Sequence, residues 1–398
     1  MQVALFILAF ILFVGLILAH EWGHFIIAKR NGVVPEEFGL GFPPRAWSKK
    51  LKSGLILSLN WLPIGGFVKL RGEHDNDERP GSFGAASLRV KTKILLAGVT
   101  ANLITGLIIL TVLAAVGIPV LITKDFNGID QFSVKSDTKI ARQQLEAGFI
   151  ESGSPATKTT DMSLDGPSDP LRSTDLIVGL APLGASPAAV IKAPQQLSEL
   201  TSKYRGQPID LYITRDSKPL VLATHLRPAS EGRGYLGVAP NQLTIQRSTW
   251  SSPIVAIGLA GQFVWLTLQG LGHALGGLGS LIAGVFSGNH AAQTNGAAQA
   301  ESQVGGPVAI MEVLWHSGDL GLNFTLAFIA VISLTLALIN ILPLPALDGG
   351  RLLLSIISRR LMRRPLSQVA EERIVGTGMA VIFLLIILIT IVDVKRSF

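Results

Sequence analysis

A chain of 398 residues, 48% hydrophobic and only 15% charged, with a mean hydropathy of +0.46, is too apolar for an ordinary soluble globule. It fits a membrane protein that carries one aqueous domain. The absence of cysteine excludes disulfides, zinc–cysteine sites and thiol catalysis. The net charge of +7 gathers in particular loops, as membrane topology requires, and no nucleic-acid-binding motif accompanies it.

Residues 1–28 read as a first transmembrane helix. Seventeen apolar residues, Val3 to Ala19, run directly into His20-Glu21-Trp22-Gly23-His24. The run is longer than a signal-peptide core and has no basic segment before it, so a retained helix is expected. Positions i and i+4 share one helix face, which lets His20 and His24 hold one Zn2+ from the same side. Glu21, one residue on, is placed to act as general base for the hydrolytic water. Two histidines and a carboxylate inside apolar sequence are costly unless coordinated or paired, so the segment is a site candidate in its own right.

Residues 29–93 carry twelve Lys/Arg and are expected in the cytoplasm. Within them, 55–70 reads as a β-hairpin, membrane-dipping or, alternatively, a small soluble hairpin on the cytoplasmic face: Leu55 to Trp61 alternates in part, Pro63-Ile64-Gly65-Gly66 turns, and Phe67-Val68-Lys69-Leu70 runs out again. A second transmembrane helix follows at 94–122.

Residues 125–245 are polar and rich in turn formers, with short strand-like runs such as Pro208 to Thr214, and are expected to form an extracytoplasmic α+β domain. Residues 250–320 are harder to place. Their core, 253–288, holds nine glycines and no Asp, Glu, Lys or Arg, and an interfacial or re-entrant element is expected there.

A third transmembrane helix is expected at 321–350, a basic cytoplasmic loop with six Lys/Arg near 351–373, and a fourth helix at 374–398. The four apolar cores are 3–28, 94–118, 324–344 and 374–392. Both chain ends are then extracytoplasmic. Asn340-Ile341-Leu342-Pro343-Leu344-Pro345-Ala346-Leu347-Asp348-Gly349-Gly350 ends the third helix with two prolines and paired glycines, which either lets Asp348 turn inward as a third ligand or simply terminates the helix with a solvated Asp. For Asp348 to meet His20 and His24, the first and third spans must run parallel, and 253–288 must contribute no crossings or two.

Together, HEWGH on the first span and NxxPxPxLDG on the third resemble the site-2 protease family of intramembrane zinc metalloproteases. Phe38-Gly39-Leu40-Gly41-Phe42-Pro43, the Pro63–Leu70 segment, Ala97-Gly98-Val99-Thr100-Ala101-Asn102 and Gly305-Gly306-Pro307-Val308 extend the likeness. Ser154-Pro155-Ala156, Asp175 to Val178, Gly206 to Asp216 and Gly234 to Val238 are similar to a bacterial PDZ domain, with Thr174 where a glycine is usual. The order of parts resembles the bacterial branch that cuts anti-sigma factors and signal-peptide remnants.

The resemblance implies a polytopic α-helical membrane protein of about four spans, with zinc on His20, His24 and Asp348 and Glu21 as base. It implies transmembrane substrates in the lipid bilayer, whose tails could dock on the PDZ-like domain. A substrate helix must unwind before cleavage, and the hairpin could receive it as an added strand at Ser58, Asn60 and Val68, with Asn340 clamping its backbone. Two other readings stay open. One is a zinc-binding membrane scaffold or transporter without peptidase activity, which would need no base. The other is a secreted zincin with a cleaved leader.

Overall fold

The computed structural model describes residues 2–397 apart from 74–76, 125–127, 162–163, 188–189, 216–217, 232–233, 288, 290–294 and 296–306. Asp216 and the Gly305-Gly306 pair quoted above lie outside the described residues. The N-terminal apolar run is one helix, α1 (Gln2–Arg30). It ends where Gly32 takes a left-handed φ of +79° and Val33 N–H reaches back to the Ala28 carbonyl at 3.0 Å. Lys29 and Arg30 occupy the last turn, where cations favour the helix C-terminus.

The chain forms two compact units, residues 1–112 with 253–398, and residues 113–252. In the first unit, α2 (Leu88–Val116) lies antiparallel to α1: Ala97 faces Gly23, and Ile109 packs with Ala9 and Leu16. Helix α4 (Ser252–Ser287) follows the second unit, then α5 (Pro307–Leu320) and α6 (Leu322–Ile341). Gly321, at φ +97°, separates the last two. Helices α7 (Asp348–Ile356) and α8 (Gln368–Ser397) complete the unit. The C-terminal end of α1 and the segment after α6 meet, so these two helices run the same way.

Helices α1, α2, α4, α6 and α8 each contain a stretch long and apolar enough to cross a bilayer, five such stretches among the described residues. Four coincide with the expected spans. The fifth, Ser252–Gly277, falls in the glycine-rich segment, which forms a single helix of 36 residues, about 54 Å long, with no reversal inside it. Helical hydrogen bonds satisfy the backbone whatever the glycine content, so composition alone did not foretell that continuity.

The expected hairpin is more elaborate. Strands β1 (Pro35–Lys50) and β2 (Ile56–Leu70) each fold back on themselves, so residues 37–40 lie between two parts of β2. Phe38 pairs with Val68 on one side and with Leu57 on the other, and Gly39 with Phe67 and Ser58. Residues 56–60 pair in turn with 45–50. Four lanes result, in the order 45–50, 56–60, 37–40, 66–70. The two arms of the expected hairpin are not partners of each other. A Cβ at Gly39 would come within 2.4 Å of the Phe67 ring and 2.8 Å of Ser58 Oγ, so only glycine lets the middle lane pass. Glu37, buried in that lane, takes a two-pronged ion pair from Arg45 that holds the fold-back.

The second unit is a seven-stranded sheet, in the order β3-β9-β4-β6-β7-β8-β5. The strands are β3 (Ile118–Pro119), β4 (Lys139–Ile150), β5 (Thr160–Asp161), β6 (Leu176–Pro182), β7 (Pro208–Arg215), β8 (Lys218–His225) and β9 (Val238–Arg247). Ile209, Leu211 and Ile213 alternate inward on β7 and pack with Leu197 of helix α3 (Pro194–Lys203). Asp137 accepts from the hydroxyls and amides of Ser251 and Thr249, which holds its carboxyl well below the usual carboxylate range.

Asp175 is fully buried and receives both Arg215 Nε (2.8 Å) and Nη2 (2.7 Å). Arg215 is the cation that faces this buried carboxylate, whereas Arg215 itself also keeps Asp169 at 2.6 Å, so Arg215→Ala, which strands the buried carboxylate, should destabilise this unit by about 3–5 kcal/mol. Urea unfolding of the full chain, followed through proteolytic susceptibility of residues 113–252, checks this. An unchanged midpoint would count against it.

Candidate metal centre

Three side chains from two distant parts of the chain converge at the C-terminal end of α1. His20 Nε2 and His24 Nε2 are 3.2 Å apart, and Asp348 Oδ2 lies 3.1 Å from the first and 3.2 Å from the second. Tetrahedral bonds of about 2.0–2.2 Å would set ligand atoms roughly 3.3–3.6 Å apart, so the triangle is close to what a small divalent cation needs. Asp348 Oδ2 is buried and has no hydrogen-bond partner, although two ring nitrogens face it. An orphaned buried carboxylate oxygen beside two imidazole nitrogens is a donor set that zinc fits.

Each donor is held by local sequence. His20 and His24 share a face through their spacing on α1. His24 Nδ1 lies 2.7 Å from the Ile94 carbonyl, which can only accept; Nδ1 therefore carries the proton and Nε2 keeps its lone pair toward the triangle. Asp348 opens α7 after Leu342–Leu347 has broken from the α6 axis. A Cβ at Gly349 would lie 2.1 Å from the Ile341 carbonyl oxygen, and one at Gly350 1.9 Å from that of Leu344. The paired glycines therefore permit the tight reversal that brings Asp348 inward.

Helix α2 contributes what sequence reasoning did not single out. A Cβ at Gly23 would stand 2.6 Å from the Ala97 carbonyl oxygen, so glycine brings the two helix backbones together. A Cβ at Gly98 would come within 2.4 Å of His24 Nε2 and 2.6 Å of His20 Nε2, so this glycine makes room for both rings. Asn102, also on α2, reaches His20. The Ala97–Asn102 stretch was legible only as a family likeness, because nothing in its local pattern marks a ring-sized gap.

The triangle opens into a cleft of about 550 Å³ also lined by Glu21, Asn340 and the lane Gly66–Leu70. Of the residues expected to touch substrate, Val68 and Asn340 line this cleft. Ser58 and Asn60 do not. They are buried in the inner 56–60 lane, where Asn60 Nδ2 donates to the carbonyls of Leu40 and Gly41. A lane paired on both sides has no free edge for another strand, so the expectation for Ser58 and Asn60 is corrected. Lys69, Glu73, Phe83, Arg351 and Met379, unanticipated from sequence, also line the cleft. Phe83 is flanked by the cations of Lys91 and Arg351, at 5.3 and 5.7 Å.

The model of peptidase family M50 matches residues 8–385. A provisionally named zinc metalloprotease of Clostridium perfringens is 28% identical over 390 residues, which cover 98% of each chain. The protease RseP of Yersinia pestis is 26% identical, again over 98% of both chains. A provisionally named zinc metalloprotease of Nostoc sp. is 29% identical over 92% of this chain and 89% of its own.

Proposed function

The chain belongs to peptidase family M50, and from that premise we propose that His20, His24 and Asp348 hold the zinc, that Glu21 is the catalytic base, and that the lane Gly66–Leu70 receives the substrate. The protein is an intramembrane zinc metalloprotease. The single observation carrying the residue assignment is the convergence of three ligand atoms in one triangle, beside Glu21 and the lane Gly66–Leu70.

Zinc, when bound, polarises the scissile carbonyl and makes water acidic enough to be deprotonated near neutral pH. Glu21 takes that proton and can return it to the leaving amine. Its place in the cleft is close to the edge lane, where a Cβ at Gly66 would lie 3.3 Å from Glu21 Cγ. A transmembrane substrate hides its peptide groups in helical hydrogen bonds, so a segment must unwind, and exposed backbone at membrane depth must find partners. Among the described residues the strand pairing of the 66–70 lane is with 35–40, and residues 66–70 also line the cleft. A substrate strand added there would bring its carbonyls near the triangle, with Asn340, which also lines the cleft, steadying them.

The reading extends to placement in the membrane. The basic segments 29–93 and 351–373 favour a cytoplasmic site end, with residues 113–252 and both chain ends outside, in an inner bacterial membrane. The sheet unit would serve as a PDZ-like filter for substrates. Its groove of about 330 Å³, between α3 and the Tyr235–Val238 entry to β9, suits an extended tail.

Val68→Pro tests the strand proposal. Proline removes an N–H and is excluded from strand interiors, so cleavage of a helical transmembrane substrate should fall at least about tenfold with zinc content unchanged. Mass spectrometry of detergent-phase products reads both rate and scissile bond. A cleavage rate equal to wild type in folded, zinc-loaded Val68→Pro protein would rule out strand addition at this edge.

A further inference from the structure

We propose that Asn102 is a positioning residue whose side-chain carbonyl accepts from His20 Nδ1–H and so fixes the tautomer and orientation of that ligand. The proposal rests on the assignment of His20 as a zinc ligand. Three positions on one face of α2 serve the two histidines, at i, i+4 and i+8. The Ile94 carbonyl takes the proton of His24 Nδ1, Gly98 leaves the gap filled by both rings, and the Asn102 amide stands beside His20.

The polar accounting shows why the amide matters. Asn102 is 1% exposed, and its backbone carbonyl is pinned to α6 by Ser333 Oγ at 2.7 Å, independently of the side chain. Its Nδ2 lies 3.4 Å from His20 Nδ1, while its Oδ1 is buried without a partner. His20 Nε2 points into the metal triangle, so as a ligand it must be free of a proton, and Nδ1 must then carry one. A donor amide facing a donor ring nitrogen satisfies neither group. A half-turn of the amide exchanges Nδ2 and Oδ1, gives Nδ1–H its acceptor and satisfies the orphaned oxygen in one step. His20 then acquires what His24 already has from Ile94. Partners of this kind raise ligand basicity and hold the ring in register.

Full-length protein in detergent allows the test. Asn102→Leu, with the same number of side-chain heavy atoms but unable to accept, should weaken zinc affinity about 10–100-fold by chelator competition. Asn102→Asp, which only accepts, should bind zinc at least as tightly as wild type. If the amide instead worked as a donor, Asn102→Asp would lose affinity as Asn102→Leu does, and the proposal would be overturned. Nitrogen-15 spectra of histidine-labelled, zinc-loaded wild type supply a readout that needs no variant to fold. His20 should hold the metal through Nε2 with its proton on Nδ1, and zinc held through Nδ1 would overturn the proposal. His20→Ala separates the two levels. Zinc retained in His20→Ala refutes the ligand assignment itself, whereas zinc lost there but retained in Asn102→Leu refutes only the role of Asn102.

Discussion

Glu21→Gln is expected to lower the cleavage rate by about 10²–10⁴-fold, the usual contribution of a positioned general base, while zinc stays bound. The amide keeps the size of the carboxylate and its place at the cleft, but it has no basic oxygen to take a proton from water. Glu21 is not one of the three atoms in the triangle, so metal content should not change. The measurement is paired: zinc per protein by elemental analysis, and product formation from a transmembrane substrate. In cells, comparison of membrane proteomes should show transmembrane stubs accumulating in the variant. Cleavage near the wild-type rate with zinc bound would remove Glu21 from the mechanism and return the non-peptidase scaffold reading to consideration for this site.

The second large effect is expected at Asp348. Asp348→Asn replaces the anionic oxygen, 3.1 and 3.2 Å from the two ring nitrogens, with a neutral amide. Loss of an outer partner costs about 10–100-fold in affinity, and loss of a direct ligand should cost more. Purified protein should therefore lose most of its zinc during dialysis against a weak chelator, and cleavage should fall with it. Added zinc should restore activity partly and only at high concentration. Full zinc and full activity in Asp348→Asn protein would require another carboxylate as third ligand. Among the described residues, no other group of three or more His, Asp or Glu side chains gathers closely enough to hold an ion.

These expectations draw on different depths of the molecule. The apolar run before His20, the i, i+4 pair and the proline-and-glycine break before Asp348 were legible because each is a local property. Hydropathy, helical periodicity and helix termination are decided within a few residues of chain. The strand lanes were not legible in the same way. A run such as Leu55–Leu70 predicts extended chain, yet its partners depend on β1 folding back after Gly41, at φ +76°, and on Gly39 having no side chain to meet Phe67. The error over Ser58 and Asn60 came from this source, since a free edge and an inner lane have the same alternation. The continuity of α4 was hidden for a related reason: glycine lowers helix propensity, and an apolar setting overrides propensity.

By itself, then, the sequence determined that a membrane-embedded helix carries two histidines and a glutamate on adjoining positions, and that an aspartate follows a broken helix far along the chain. Only the tertiary structure decided that these meet, because α1 and α6 run the same way and α2 passes between opposite needs, close enough at Gly98 for two rings and polar enough at Asn102 to hold one of them. Those contacts join residues more than seventy positions apart, where no local spacing constrains them, and packing at van der Waals distance settles which survive.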